Sequence, residues 1–71
     1  MIQFELPQAA DVTLLVHDIE GREVARLINH DRLPEGLHTV TMDTRHLGAG
    51  VYTYSFISGP ITITKKMVVN N

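Results

Sequence analysis

GVYTYSFISGPITITKKMVV (Gly50–Val69) is the stretch that decides the fold. Tyr52, Tyr54 and Phe56 alternate with Val51, Thr53, Ser55 and Ile57, and Ile61 and Ile63 alternate with Thr62 and Thr64. A period of two in aromatic and β-branched residues is the pattern of half-buried strands. Ser58-Gly59-Pro60 punctuates the two runs as a turn. The second run then breaks its own rule: Ile61, Ile63, Met67 and Val69 share one parity, and Lys65 shares it with them. A lysine in a core is costly unless its ammonium reaches water. This predicts a bulge at Lys65–Lys66, or a strand that leaves one sheet for the other there. In either case the lysines sit at a bend.

The same period extends outward. Val12, Leu14 and Val16 alternate with Thr13, Leu15 and His17. Strands are predicted at about 2–6, 11–18, 22–29, 36–43, 50–58 and 61–69, with a seventh if the last one splits. Pro7 closes the first. DIEG (Asp18–Gly21) reads as a tight hairpin, with Asp18 accepting backbone hydrogen bonds and Gly21 at positive φ. LPEG (Leu33–Gly36) has the residues of a type I turn, and HLGAG (His46–Gly50) is a glycine-punctuated loop. EVARLINHDR (Glu23–Arg32) has some helical spacing through Val24, Leu27 and Ile28. It is read as a strand because the hairpin before it needs a partner. Short strands with turns every 8–12 residues or so define a small all-β sandwich or barrel.

At 71 residues the chain is read as one domain, 1–71, close to the lower limit of independent stability. It begins directly in strand-like residues, and we expect it to be a piece of a larger secreted protein. It has no cysteine, hence no disulfide and no thiolate metal site. A net charge of −2 argues against general nucleic-acid binding. No apolar run approaches the length of a membrane helix.

In order and spacing, FELP (Phe4–Pro7), VTLLVHDIEGREVARL (Val12–Leu27), GLHTVTMD (Gly36–Asp43), GAGVYTYSF (Gly48–Phe56) and KKMVV (Lys65–Val69) resemble the type A C-terminal sorting domain of the type IX (Por) secretion system. That family occurs on secreted proteins of Bacteroidetes and their relatives. The immunoglobulin-like domain of flagellar hook-capping proteins has a related pattern. The resemblance covers nearly the whole chain. Gly21, Arg22, Glu23 and Val24 match one family motif, and Gly50, Val51 and Tyr52 match a second. The resemblance implies an immunoglobulin-like antiparallel β-sandwich that sends a cargo through the outer-membrane translocon. It implies transit through the periplasm, then secretion or attachment at the cell surface by a sortase-like peptidase. It assigns recognition by the machinery to Lys65, Lys66, Met67, Val68 and Val69. His17 stands where relatives commonly have tyrosine, Met42 where they often have an aromatic, and the chain ends Asn70-Asn71 rather than near a basic residue.

Other candidate sites are read blandly. His17, His30, His38 and His46 have no short metal-ligand spacing and are surface or core-edge residues, with His38 at the rim of a core. Ser55, Ser58, Asp18 and Asp43 do not form a hydrolase motif, so no catalytic residue, metal or cofactor is assigned. Glu20 and Glu23 are a solvated turn, and the IEGR protease-site match (Ile19–Arg22) is a coincidence of the hairpin. Tyr52, Tyr54 and Phe56 are expected as core fill rather than as a sugar platform. The lysines also blunt an edge strand.

The reading is a non-catalytic sorting signal whose partners are the type IX translocon and its sortase-like peptidase, with no nucleic acid and no small-molecule substrate. A homodimer by exchange of terminal strands belongs to it. The alternative is an accessory immunoglobulin-like binding or structural module of an extracellular multidomain enzyme.

Overall fold

The computed structural model describes residues 2–70. Six strands follow in order: β1 (Ile2–Leu6), β2 (Ala10–His17), β3 (Glu23–Leu33), β4 (Gly36–Val40), β5 (Gly50–Ser58) and β6 (Ile61–Val69). They form two antiparallel sheets: β1-β4, and β3-β2-β5-β6. The predicted strands are all present. The fourth is shorter than predicted, ending at Val40 instead of near Asp43, and the third is longer, running to Leu33 instead of ending near Asn29.

The core lies between the sheets. Val12, Leu14 and Val16, one face of β2, are completely buried. Leu6 and Ile28 close around Val12 and Leu14, with Phe4, Val40, Tyr54 and Phe56 packed against them. Phe4 of the small sheet meets Phe56 of the large one with ring centroids 5.0 Å apart and planes tilted by 57°. That is a favoured aromatic arrangement.

Both hairpins use the chemistry of their turn residues. Asp18 Oδ1 accepts from the backbone N–H of Glu20 and of Arg22, each at 2.9 Å, and Gly21 takes φ +86°. Gly59, at φ +57°, completes the two-residue loop between Ser58 and Ile61. LPEG does a different job. It carries the chain from β3 in the large sheet to β4 in the small one, so it joins layers rather than neighbouring strands.

The helical spacing in Glu23–Arg32 has a structural cause. Between Val12/Asp31 and Leu14/Ile28, β3 spends three residues where β2 spends two, and further extra residues are Leu27, between Arg26 and Ile28, and Val24, between Glu23 and Ala25. These bulges, one with His30 at φ +53°, reset which residues face inward. Ala25, Leu27, Ile28 and Leu33 therefore turn towards the core without a period of two.

The bulge predicted at Lys65–Lys66 is absent. β6 pairs with β5 in unbroken register from Ser58↔Ile61 to Gly50↔Val69. Lys65 needs no bend because β6 is the last strand of its sheet and Lys65 is exposed even on the inward-facing row.

Tyr52, near the start of β5, donates its hydroxyl to the Gly48 carbonyl at 2.7 Å. A tyrosine that ties the inter-sheet loop back to its own strand is a hallmark of immunoglobulin sandwiches. Tyr52→Phe keeps the ring and loses this bond. Thermal unfolding is expected to show about 1 kcal/mol of lost stability.

Candidate functional site

β6 presents the proposed recognition residues along a sheet edge. Lys65 lies opposite Tyr54 and Lys66 opposite Thr53, so adjacent lysines point to opposite faces of one strand. Ile61 to Lys66 are all exposed. Met67, opposite Tyr52, is half-buried, Val68 is 58% exposed, and Val69 is 5% exposed against the start of β5. The five residues thus divide into two jobs. Lys65, Lys66 and Val68 face solvent, while Val69 anchors the strand end.

Charge separates the lysines from the other cations. Arg22 pairs with Asp18 (3.0 Å) and Glu20 (3.2 Å), Arg26 with Glu23 (2.9 Å), Arg32 with Asp11 (3.6 Å) and Arg45 with Asp43 (2.9 Å). Among the described residues Lys65 and Lys66 enter no ion pair. Exposed pairs contribute little stability. Among the described residues the arginine charge is spent locally and the lysine charge is not.

The remaining motif residues build turns and strand starts. Arg22 pairs with Asp18 across the first hairpin, Glu23 pairs with Arg26 along β3, and Val24 is exposed beside them. Gly50, at φ +154°, opens β5, and Val51 faces outward from it. The aromatic row of Tyr52, Tyr54 and Phe56 is half-buried, with Tyr54 and Phe56 against the core.

The histidines are dispersed. His38 stacks on Phe4 with centroids 5.3 Å apart, and its Nε2 donates to the Pro34 carbonyl at 2.7 Å. His30 lies in a β3 bulge, and its N–H donates to Thr13 Oγ1. Among the described residues no group of three or more His, Cys, Asp or Glu is placed to hold a metal ion. Ser55 is buried and its hydroxyl is engaged with that of Thr64 at 3.1 Å.

Two acids are held charged. The Arg45 guanidinium and N–H beside Asp43 pull its carboxyl down to about 2. The Arg22 N–H, with its guanidinium and the Glu20 N–H, keeps Asp18 below the usual carboxylate range. A depressed carboxyl pKa adds stability above the unfolded value and loses it as pH falls through the folded one. Stability from Asp43 is therefore expected to be complete above about pH 4 and to drain away towards pH 2, and that from Asp18 to be lost as pH falls below the usual carboxylate range. Carboxyl NMR is expected to place the Asp43 midpoint near 2 and to return it to the ordinary range in Arg45→Gln.

This is a small immunoglobulin-like sandwich whose last strand carries two exposed lysines at a sheet edge. The model of the secretion system C-terminal sorting domain matches residues 1–70, so the chain belongs to that family, the sorting signals of the type IX system. No curated protein and no solved structure matches the chain. The family is one of non-catalytic sorting signals that act through the secretion machinery, and its members are exported.

Proposed function

We propose that the domain carries its cargo across the outer membrane by being recognised, folded, at the β6 edge. The cargo passes through the periplasm, meets the translocon there, and is released or attached at the cell surface by the sortase-like peptidase. Lys65 and Lys66 supply the charge that the partner reads, Met67 and Val68 supply apolar contact, and Val69 holds the strand in place. The observation that carries this reading is the family match over residues 1–70. The exposure of Lys65 and Lys66, with no ion pair to either among the described residues, supports the placement of the contact. A homodimer by exchange of β6 belongs to the same reading, and sedimentation of the isolated domain tests it.

The test is a fusion of residues 2–71 to the C-terminus of a periplasm-targeted fluorescent protein, in a bacterium with type IX machinery. Reporter in the medium or on the cell surface supports the proposal. Retention in the periplasm, beside a control cargo that is exported, overturns it.

A further inference from the structure

The hairpin between β2 and β3 holds a match that the sorting role does not use. Ile19-Glu20-Gly21-Arg22 is the sequence after which a blood-clotting protease cuts, and the bond that would break is Arg22–Glu23. Whatever the origin of the match, the bond has the chemistry of a substrate. Exposure alone would leave it open, because Ile19 is 83% and the Arg22 side chain 72% exposed. The hydrogen bonds of the turn close it.

An arginine-specific serine protease must engage three groups of the residue it cuts after. The guanidinium enters a pocket floored by a carboxylate, and the carbonyl oxygen enters the oxyanion hole. The backbone N–H pairs with the enzyme as the substrate is laid out like an added strand. In this hairpin Asp18 holds all three groups of Arg22. Its Oδ2 accepts from Nε at 3.0 Å, and its Oδ1 accepts from the Arg22 backbone N–H at 2.9 Å. Its own backbone N–H donates to the Arg22 carbonyl at 2.9 Å. The Asp18 carboxylate thus stands where the carboxylate of the protease pocket would have to be.

The residues on either side of Arg22 are closed as well. The Glu20 N–H donates to Asp18 Oδ1 at 2.9 Å, and the Gly21 N–H donates to the Asp18 carbonyl at 3.0 Å. Gly21, next to the bond, has φ +86°, which an extended substrate cannot keep. Beyond the bond, Glu23 lies opposite His17 in the β2–β3 ladder. The Asp18 side chain is 15% exposed, so water competes weakly for its oxygens.

We propose that Arg22–Glu23 is a latent cleavage site for arginine-specific serine proteases, and that Asp18 is the latch that keeps it closed while the hairpin is intact. Hydrolysis there adds one water across the peptide C–N bond, leaving a carboxylate on Arg22 and an amine on Glu23. The latch is a local contact, so opening the hairpin releases it without loss of the core around Leu14. The inference concerns the turn alone and stands apart from the sorting reading.

The test incubates the 71-residue chain with an arginine-specific serine endoprotease that cuts after any arginine. Mass spectrometry follows cleavage at Arg22–Glu23 relative to Arg32–Leu33, at the far end of β3. A synthetic peptide of residues 16–25 carries the same bond outside the sheet and gives the open rate. The folded chain is expected to be cut at Arg22–Glu23 at least ~100-fold more slowly than the peptide, since only the opened population reacts. Asp18→Ala is expected to raise cleavage at Arg22–Glu23 roughly tenfold over that at Arg32–Leu33, the ratio that loss of the side-chain acceptors supplies. Asp18→Asn keeps a neutral acceptor for the backbone N–H groups and is expected to give a smaller rise. It stands in for the alanine variant if circular dichroism shows that one unfolded. Leu14→Ala weakens the core and is expected to speed both bonds alike. A folded chain cut as fast as the peptide, a peptide left uncut after Arg22, or Asp18 variants that leave the ratio of the two bonds unchanged would each overturn the proposal.

Discussion

Replacing Leu14 by alanine is expected to lower the melting temperature of the isolated domain by roughly 15 °C. Leu14 is completely buried, opposite Ile28 on one side and Phe56 on the other, so it sits where β2, β3 and β5 meet. Truncating a buried leucine costs about 3 kcal/mol, from lost transfer energy and from the cavity left behind. In a domain of this size each kcal/mol shifts the melting temperature by about 4–8 °C. The total stability of 71 residues is on the order of 5 kcal/mol, so the change removes most of it. Leu37→Ala, at a 64% exposed position on β4, is the matching control and is expected to leave the melt nearly unchanged. Circular dichroism melts of both variants decide the matter. A small shift for Leu14→Ala would mean that the core is not centred on β2.

That centre was legible in the sequence because β2 obeys a strict period of two. Val12, Leu14 and Val16 could be read as one buried face without any knowledge of their partners, and the hairpin at Asp18–Gly21 followed from its turn residues. β3 was harder. Its bulges make the inward residues recur irregularly, and a bulge leaves no sequence mark comparable to a turn glycine. Lys65 failed for a related reason. Parity placed it correctly on the inward-facing row, but the inference of a bend assumed that this row was covered along its whole length. Sheet width depends on how many strands each layer receives, and no local pattern encodes that. The Tyr52–Gly48 bond was likewise invisible, although an aromatic four residues after a loop glycine at a strand start is the signal that could have found it.

The second large effect concerns export. Changing Lys65 and Lys66 together to alanine is expected to cut delivery of a fused cargo at least tenfold, with little change in folding. Both side chains are exposed and neither makes an ion pair among the described residues, so truncation leaves no buried partner behind. Surface changes of this kind usually alter stability by less than about 0.5 kcal/mol. Loss of two charge-assisted contacts with a partner costs about 1 kcal/mol each, which compounds to tenfold or more in affinity. The charge-keeping pair Lys65→Arg and Lys66→Arg should retain most export if charge is what the partner reads. Removal of residues 67–71 is a poor substitute for these variants. It takes away buried Val69 and its pairing with Gly50, along with Met67 opposite Tyr52, and so it probes folding and recognition at once.

The measurement that tests the account most directly is therefore the distribution of the fluorescent fusion between periplasm and medium or surface, for the intact chain and the double alanine variant, with the melting temperature of each domain measured alongside. The account predicts export of the intact fusion, periplasmic retention of the variant, and matching melts. Equal export of both, with both folded, would contradict it and return Lys65 and Lys66 to the role of charges that protect a sheet edge.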